Sequence, residues 1–166
     1  MRKLNFADLR ECPLIGRHRL PHRRGKVVES VRLGLDDKPL DGPDRYARWT
    51  TEYDERGNPV REAYFRADGA PALREDGTSG WTRKSDDMGR EVEFIFFGVD
   101  GSPVLGNEGW AEKRSTYDAL GNPAQWTFFG VDGGPVRTKF GFTRLIQGYD
   151  ERKRLVEEAY FDAEGR

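Results

Sequence analysis

Cysteine and histidine are nearly missing from this chain of 166 residues, which has one cysteine, Cys12, and two histidines, His18 and His22. A single thiol cannot form a disulfide within the chain. A structural zinc site needs four ligands, mostly Cys and His, and the chain cannot supply four of them. Cys12 also has no neighbouring histidine or asparagine in a pattern that indicates a nucleophile with its base. We therefore predict no metal, no cofactor and no enzymatic activity.

Long hydrophobic runs are missing as well. No apolar stretch approaches the roughly 20 residues of a membrane-spanning helix, and the first residues lack the apolar core of a secretory signal peptide. Hydrophobic residues make up 36% of the chain and charged residues 34%. This composition is typical of a soluble array of repeats, in which each unit has a thin core. The lone thiol and the missing signal sequence favour a cytoplasmic location.

A period of 32 residues organises the sequence. Residues 96–104 read FFGVDGSPV, and residues 128–136 repeat them with one change. Related segments lie at 64–72, at 32–40 and, shortened, at 160–165. Such periodicity is the signature of a repeat protein. We predict an all-β fold in which a short helical or irregular N-terminal cap (1–19) precedes an elongated array of five antiparallel hairpin units of 32 residues, at about 20–43, 44–75, 76–107, 108–139 and 140–166.

Two turn signals divide each unit. The first has Asp at its first position and Gly at its fourth, as in residues 54–57, which suits a type I turn followed by a left-handed residue. Lys153 replaces this glycine in the last unit, so we expect that turn to be the weakest. The second signal is Asp-Gly-x-Pro, at Asp68, Asp100 and Asp132.

In the second unit these signals predict strands at 46–53 and 59–66, followed by an extended link at about 70–76. The third unit has different residues in its first strand, and Trp81 is interpreted as displaced from the aromatic positions of the other units. We therefore expect this strand to be shifted or bulged.

Alternation along the second strand of each unit predicts two faces. One carries two columns that are apolar except for Thr127, and we predict them to be the buried core: Val31, Ala63, Ile95, Thr127 and Ala159, and Leu33, Phe65, Phe97, Phe129 and Phe161. The other face mixes aromatic and charged residues. Its aromatic residues are predicted to be a ligand or partner surface, or alternatively a second buried face: Tyr64, Phe94, Phe96, Trp126, Phe128 and Tyr160.

Carboxylates are abundant, but they recur at one turn position, at Asp54, Asp86, Asp118 and Asp150. A residue that every unit repeats serves turn geometry rather than a single active site. Calcium binding at the Asp-Gly turns is an alternative, although no segment is as dense in acidic ligands as an EF-hand loop. The enzymatic alternative is a carboxylate-based hydrolase, which would need two carboxylates in one cleft.

Charge is unevenly placed. Residues 1–34 contain nine Lys and Arg against three Asp and Glu, whereas the remainder contains nineteen against twenty-six. The basic patch consists of Arg17, Arg19, Arg23, Arg24 and Lys26. It could bind phosphates or an acidic partner, or it could be a solvated segment beside an acidic array.

Particular segments of this sequence resemble known families of hairpin repeats. Residues 48–58 and 113–122 resemble the Tyr-Asp core of Rhs/YD repeats, which wind β-hairpins into large shells. Residues 96–104, with Gly109 and Trp110 after them, are similar to the hairpins of choline-binding and glucan-binding repeats, and MORN repeats share the same serial hairpins. Each resemblance covers about half of a unit. It implies a hairpin array but gives no transferable ligand residues.

These observations favour a non-enzymatic repeat module for protein–protein interaction or scaffolding, as part of a larger protein. The alternative is a glycan-binding or cell-wall-binding module that uses its aromatic residues as a ladder. Exposure of Trp126 discriminates between a binding ladder and a packed core. Because the sequence stops soon after its last predicted strand, we also expect self-association through that strand edge, or a further domain of the same chain as the partner. Membrane and nucleic-acid partners are not expected.

Overall fold

The structure is a computed structural model that describes residues 17–23 and 25–166. Of the predicted cap at 1–19, residues 1–16 lie outside the described residues. The described residues form strands and turns without a helix, so the all-β prediction is confirmed. The twelve strands are β1 (Arg17–Arg19), β2 (His22–Arg23), β3 (Lys26–Val27), β4 (Glu29–Leu33), β5 (Arg48–Tyr53), β6 (Pro59–Phe65), β7 (Gly80–Ser85), β8 (Glu91–Phe97), β9 (Glu112–Tyr117), β10 (Pro123–Phe129), β11 (Arg144–Tyr149) and β12 (Leu155–Phe161).

Ten strands form one antiparallel sheet in the order β1-β4-β5-β6-β7-β8-β9-β10-β11-β12, and β2 pairs with β3 in a separate small hairpin. From β4 to β12 consecutive strands are therefore neighbours, whereas β1 lies beside β4. Strands β5 and β6 pair over six residues, whereas β6 and β7 pair over three. The same alternation holds for β7 to β12. Long hairpins are thus joined by short junctions.

The first turn has the predicted geometry in the second to fifth units. In the fourth unit the Gly121 amide donates to the Asp118 carbonyl and the Asp118 amide donates to the Asn122 carbonyl. Gly121 has a φ of 84°, and a register shift follows in the pairing of β10 with β9. Lys153 occupies the same left-handed position with a φ of 60°. A residue with a Cβ pays a steric cost there that glycine avoids.

The predicted extended link at about 70–76 is wrong in its last part, because residues 74–78 fold into a further turn. The Arg74 amide donates to the Thr78 carbonyl at 2.9 Å, and the Gly77 amide donates back to the Arg74 carbonyl at 3.1 Å. Gly77 has a φ of 78°. The sequence signal for this turn is the glycine that recurs at residues 77, 109 and 141.

The expected distortion of the third unit is also wrong. Trp81 pairs with Phe96 across β7 and β8, in the same register in which Trp49 pairs with Tyr64 across β5 and β6. Trp81 is therefore the counterpart of Trp49 and is not displaced. The register shift between β7 and β8 falls where it falls between β5 and β6, and the extra residue lies in the second strand of each hairpin.

The core differs from the predicted columns. Leu33, Ala63 and Phe97 are buried, but Phe65 and Phe129 are only half-buried. Arginine guanidinium groups cover these rings: the Arg48 Cζ lies 4.2 Å from the centroid of Phe65, and the Arg114 Cζ lies 4.4 Å from that of Phe129. A cation above an aromatic ring is a favourable contact that needs no second layer. The prediction that Phe65, Phe97 and Phe129 are all buried is therefore wrong.

Small residues just before the first strands contribute a further part of the core. They recur every 32 residues and are all buried: Ala47, Ser79, Ala111 and Thr143. The Ala111 amide donates to the Phe129 carbonyl, and the Ala111 carbonyl accepts from the Phe96 amide. Each of these residues therefore bonds to the second strands on both sides of it, and close approach requires a small side chain.

No helix in the described part of the chain is long and apolar enough to span a membrane.

Candidate functional site

One face of the sheet, here called the aromatic face, carries the side chains that sequence analysis assigned to a ligand surface. Register places Phe94 opposite Lys113 and Trp126 opposite Leu145 on this face. The aromatic face includes Tyr64, Trp81, Phe94, Phe96, Lys113, Trp126, Phe128 and Tyr160.

Aromatic residues of the newly found turns fold back onto this face and connect its rings. Trp110 lies with its ring centroid 4.8 Å from Phe96, 6.0 Å from Phe94 and 5.6 Å from Phe128. Phe142 repeats the arrangement, 5.8 Å from Phe128 and 5.0 Å from Tyr160. Trp110 is 6% exposed and Phe128 is 7% exposed. Part of the aromatic face is therefore core, because the turns cover it.

The predicted surface residues fall into three groups by exposure. Tyr64 and Phe128 are buried, Phe94, Phe96 and Trp126 are half-buried, and Tyr160 is 53% exposed. Trp126 stands between Ser115 and Leu145, which are both buried. The continuous row of rings runs through Trp110 and Phe142, residues that sequence analysis did not assign to the surface.

A pocket of about 400 Å³ opens beside this row. Phe94, Phe96 and Trp110 form its aromatic floor, and Trp81 extends the floor by stacking on Phe94 at 5.4 Å and 23°. Its rim carries three carboxylates, those of Asp76, Glu91 and Glu108. Half-buried aromatic surface beside carboxylates is chemically suited to a cation.

Hydrogen bonds and ion pairs hold the rim in place. Glu108 accepts a hydrogen bond from the Trp110 indole Nε1 at 3.2 Å. Glu91 forms an ion pair with Lys113 at 2.8 Å, and the Lys113 Nζ lies 5.8 Å from the Phe94 centroid. The pocket thus already has one cation at its edge, while Glu108 is exposed and its carboxylate accepts a hydrogen bond from the uncharged Trp110 indole.

A second pocket continues the first along the row of turns, and the two share Asp76 and Asn107. Together they are lined by five carboxylates and two cations, which gives a net charge of −3. The carboxylates are Asp44, Glu75, Asp76, Glu91 and Glu108, and the cations are Arg74 and Lys113. We call this combined depression the acidic groove.

The second unit shows how a guanidinium binds on this face. The Arg74 Cζ lies 4.4 Å from the Tyr64 centroid, and the Arg74 Nη2 forms an ion pair with Asp76 at 3.3 Å. The Tyr64 hydroxyl donates to Glu62. Burial, followed by this contact with Glu62, raises the pKa of Tyr64, so the phenol is neutral at physiological pH. The Arg74 guanidinium therefore contacts both a ring and a carboxylate.

The third unit has the ring and the carboxylate of this set but lacks the arginine. Phe96 corresponds to Tyr64, Glu108 to Asp76, and Gly106 to Arg74 at the 32-residue period. A Cβ at Gly106 would lie 2.8 Å from the Phe96 ring. A side chain at this position would therefore displace the ring, so residue 106 supplies no cation to Phe96, and Lys113 is the cation beside the pocket floor.

The basic patch lies on the small hairpin and its surroundings. Arg19, Arg23 and Lys26 are exposed, while Arg24 and the side chain of Arg17 lie outside the described residues. Lys26 donates to the Gly57 carbonyl at 2.6 Å and its Nζ lies 5.1 Å from the Tyr53 centroid. At least this member of the patch contributes to contacts between neighbouring turns.

The recurring turn aspartates serve the turns. Asp118 accepts from the Asn122 side chain and from the Asn122 amide, both at 2.8 Å. These bonds, the side-chain bond first, hold the pKa of Asp118 below its usual range. Asp54 is equivalent in its bonds to Asn58 and in the direction of its pKa. No group of three or more His, Cys, Asp or Glu in the described part of the chain is arranged to hold a metal ion.

Comparison with known proteins adds no family to these observations. No protein-family model matches the chain, and a search of curated proteins finds no significant relative.

Proposed function

We propose that the chain is a non-enzymatic module of five hairpin repeats that binds a partner protein through the aromatic face. The observation that carries this proposal is the pocket of Phe94, Phe96 and Trp110 with its carboxylate rim. Protein–protein contacts concentrate their affinity in a few aromatic and charged anchors in half-enclosed sites. A repeat array also supplies extended surface rather than a deep cavity.

The partner contributes an arginine or lysine side chain to the pocket. Arg74 above Tyr64 shows that this surface accommodates a guanidinium between a ring and a carboxylate. In the third unit Gly106 supplies no cation to Phe96, whose ring packs against Trp110 at 4.8 Å, and the acidic groove attracts positive charge along its length. An arginine from a partner would complete the set by lying over Phe96 beside Glu108.

The non-enzymatic part of the proposal rests on how the carboxylates are used. The recurring turn aspartates accept hydrogen bonds from backbone amides within the same turn, as Asp118 does from the Asn122 amide. The carboxylates of the groove are spread along successive turns and bind neighbouring side chains, as Glu91 binds Lys113. Such groups stabilise the fold and supply charge.

The experiment is an NMR titration of the indole N–H signals of the full chain. The probe is a short capped peptide with one arginine, and its match has glutamine in that position. We expect the Trp110 signal to shift with the arginine peptide only, with a Kd of tens of millimolar or weaker, because one cation–π contact contributes only about 0.5–2 kcal/mol. Glu108→Gln should weaken this binding, whereas Glu151→Gln, at an exposed turn on the opposite edge, should not.

Glycan binding is the alternative outcome of the same titration. Phe128 is buried, so it offers no ring face to a sugar, and Trp81, Phe94 and Phe96 form a contiguous run of half-buried rings on this face. A panel of soluble glycans replaces the peptide in this arm. Shifts at Trp110 or Trp126 with a glycan, and none with the arginine peptide, would overturn the proposal in favour of sugar recognition.

A further inference from the structure

We propose that copies of this chain associate head to tail, with β12 of one copy pairing with β1 of the next. Among the described residues, β12 is bonded only to β11, and β1 is bonded only to β4. Each strand therefore has one edge that no described strand covers. An uncovered edge is a template for pairing with another chain. This inference concerns the two ends of the sheet and does not depend on the proposed binding at the acidic groove.

Register shows that the two edges match. Arg17 pairs with Leu33 across β1 and β4, just as Arg48 pairs with Phe65 across β5 and β6. Strand β1 is therefore the counterpart of β5, the first strand of a unit. Every junction inside the sheet joins the second strand of one unit to the first strand of the next, over three residue pairs. A junction between copies would pair Ala159 with Arg17, Glu158 with His18 and Glu157 with Arg19.

Charge supports this register. Glu157 would lie opposite Arg19, on the face that bears the arginine-covered phenylalanines. The junction of β8 with β9 has the same pair in the same place, Glu93 opposite Arg114. Glu158 would lie opposite His18 on the aromatic face. Pairing β12 with a second β12 would instead bring Glu157 and Glu158 of the two copies together, and like charges directly opposite each other destabilise a sheet.

Exposure supports it as well. Tyr160 is 53% exposed, whereas Phe128, its counterpart one unit earlier, is 7% exposed because the following unit covers it. Leu155 and Val156 are 46% and 65% exposed. These side chains give the β12 end an apolar surface of the kind that a further unit buries at the internal junctions. Head-to-tail contact is heterologous, so it produces a closed ring or an open chain of copies.

Sedimentation velocity of the full chain over a range of concentrations tests the inference at low salt. We expect the mean mass to rise with concentration beyond that of a dimer, and high salt to reverse the rise. A variant with Glu157→Lys and Glu158→Lys should associate about tenfold or more weakly, because attraction to Arg19 becomes repulsion. Arg19→Glu should have a similar effect. Glu55→Lys and Glu151→Lys, at exposed turns, are the matched control.

Mixing the two defective variants identifies the pairing. The Lys variant retains an intact β1 edge and the Arg19→Glu variant retains an intact β12 edge, and their two substituted edges carry opposite charges. An equimolar mixture should therefore recover association beyond a dimer, with the two variants alternating. Circular dichroism shows whether each variant keeps its strands. Association is recovered in the mixture only if both variants are folded. A wild-type chain that stays monomeric throughout would overturn the inference. So would Arg19→Glu protein that associates normally by itself, because that result indicates contact between two β12 edges.

Discussion

Gly80 and Phe97 lie opposite each other on β7 and β8, and the Phe97 ring occupies the space that a side chain at residue 80 would need. A Cβ on Gly80 would lie 2.4 Å from the ring and 2.2 Å from the carbonyl oxygen of Glu62. The other units have Arg48, Glu112 or Arg144 at this position. Phe97 is 8% exposed and is the one phenylalanine of its column that is buried.

Gly80→Ala should therefore destabilise the chain even though alanine normally favours order over glycine. Neither the backbone of Glu62 nor the enclosed ring can move without loss of packing, and overpacking costs about 1–3 kcal/mol. Urea denaturation followed by circular dichroism measures the change. Gly134→Ala is the matched control, because a Cβ there would meet only the Asp132 carboxylate at 3.4 Å, and Ala70 holds the equivalent position in another unit. Equal effects of both changes would contradict the steric explanation.

Phe97→Ala should cost about 3–5 kcal/mol, the usual range for a buried phenylalanine. Phe129→Ala should cost clearly less, because Phe129 is only half-buried beneath the guanidinium of Arg114. The two substitutions are chemically identical at equivalent positions, so their difference in unfolding free energy reports burial alone. Equal losses would show that the half-buried rings are covered in solution by something besides arginine.

Lys153→Gly should stabilise the last hairpin by about 1 kcal/mol. Lys153 has a φ of 60°, and a side chain in this conformation costs about 1–2 kcal/mol. Part of the gain is offset because the Lys153 Nζ donates to the Leu120 carbonyl at 3.1 Å. Thermal and urea unfolding measure the effect. Lys153→Ala is the control, since it removes the same hydrogen bond but keeps the strained conformation, and it should not be stabilising.

Acid should weaken the turns at Asp118 and its counterparts. The pKa of Asp118 lies below its ordinary value of 3.8 because of its bonds to Asn122. The folded state therefore binds the proton less readily than the unfolded chain, so the stabilisation is complete at neutral pH and is lost as the pH falls below about 4 through the folded-state pKa. Carboxyl carbon NMR during an acid titration should show this depressed pKa in wild type. In Asn122→Ala the pKa of Asp118 should move back towards 3.8, and an unchanged value would exclude the side-chain bond as its main cause.

Sequence predicts the hairpins well because their determinants are local. The repeated Asp and Gly of residues 54–57 specify a turn whose hydrogen bonds lie within five residues. A strict period of 32 then aligns the units, since a shift of one residue would move every side chain to the opposite face. Strands predicted at 46–53 and 59–66 are found at Arg48–Tyr53 and Pro59–Phe65.

The link and the core were less predictable because they depend on contacts between units. Gly77 and its counterparts signal the extra turn, but only the folded chain shows that this turn carries Trp110 onto the aromatic face. Alternation also identifies the apolar columns without showing that arginines such as Arg48 lie over their rings. A signal was nevertheless present in the small residues at 47, 79, 111 and 143, whose regular spacing indicates a place where backbones approach closely.

The alternation of six-residue hairpins with three-residue junctions has a mechanical consequence. Each hairpin is held by about twice as many paired residues as the contact that joins it to the next hairpin. The array is therefore expected to be stiff within each hairpin and more flexible at each junction between hairpins. Bending and twisting will concentrate at these junctions, where Ala47, Ser79, Ala111 and Thr143 lie buried. The size of these four buried side chains therefore limits how closely neighbouring hairpins approach and how far the sheet curves at each junction.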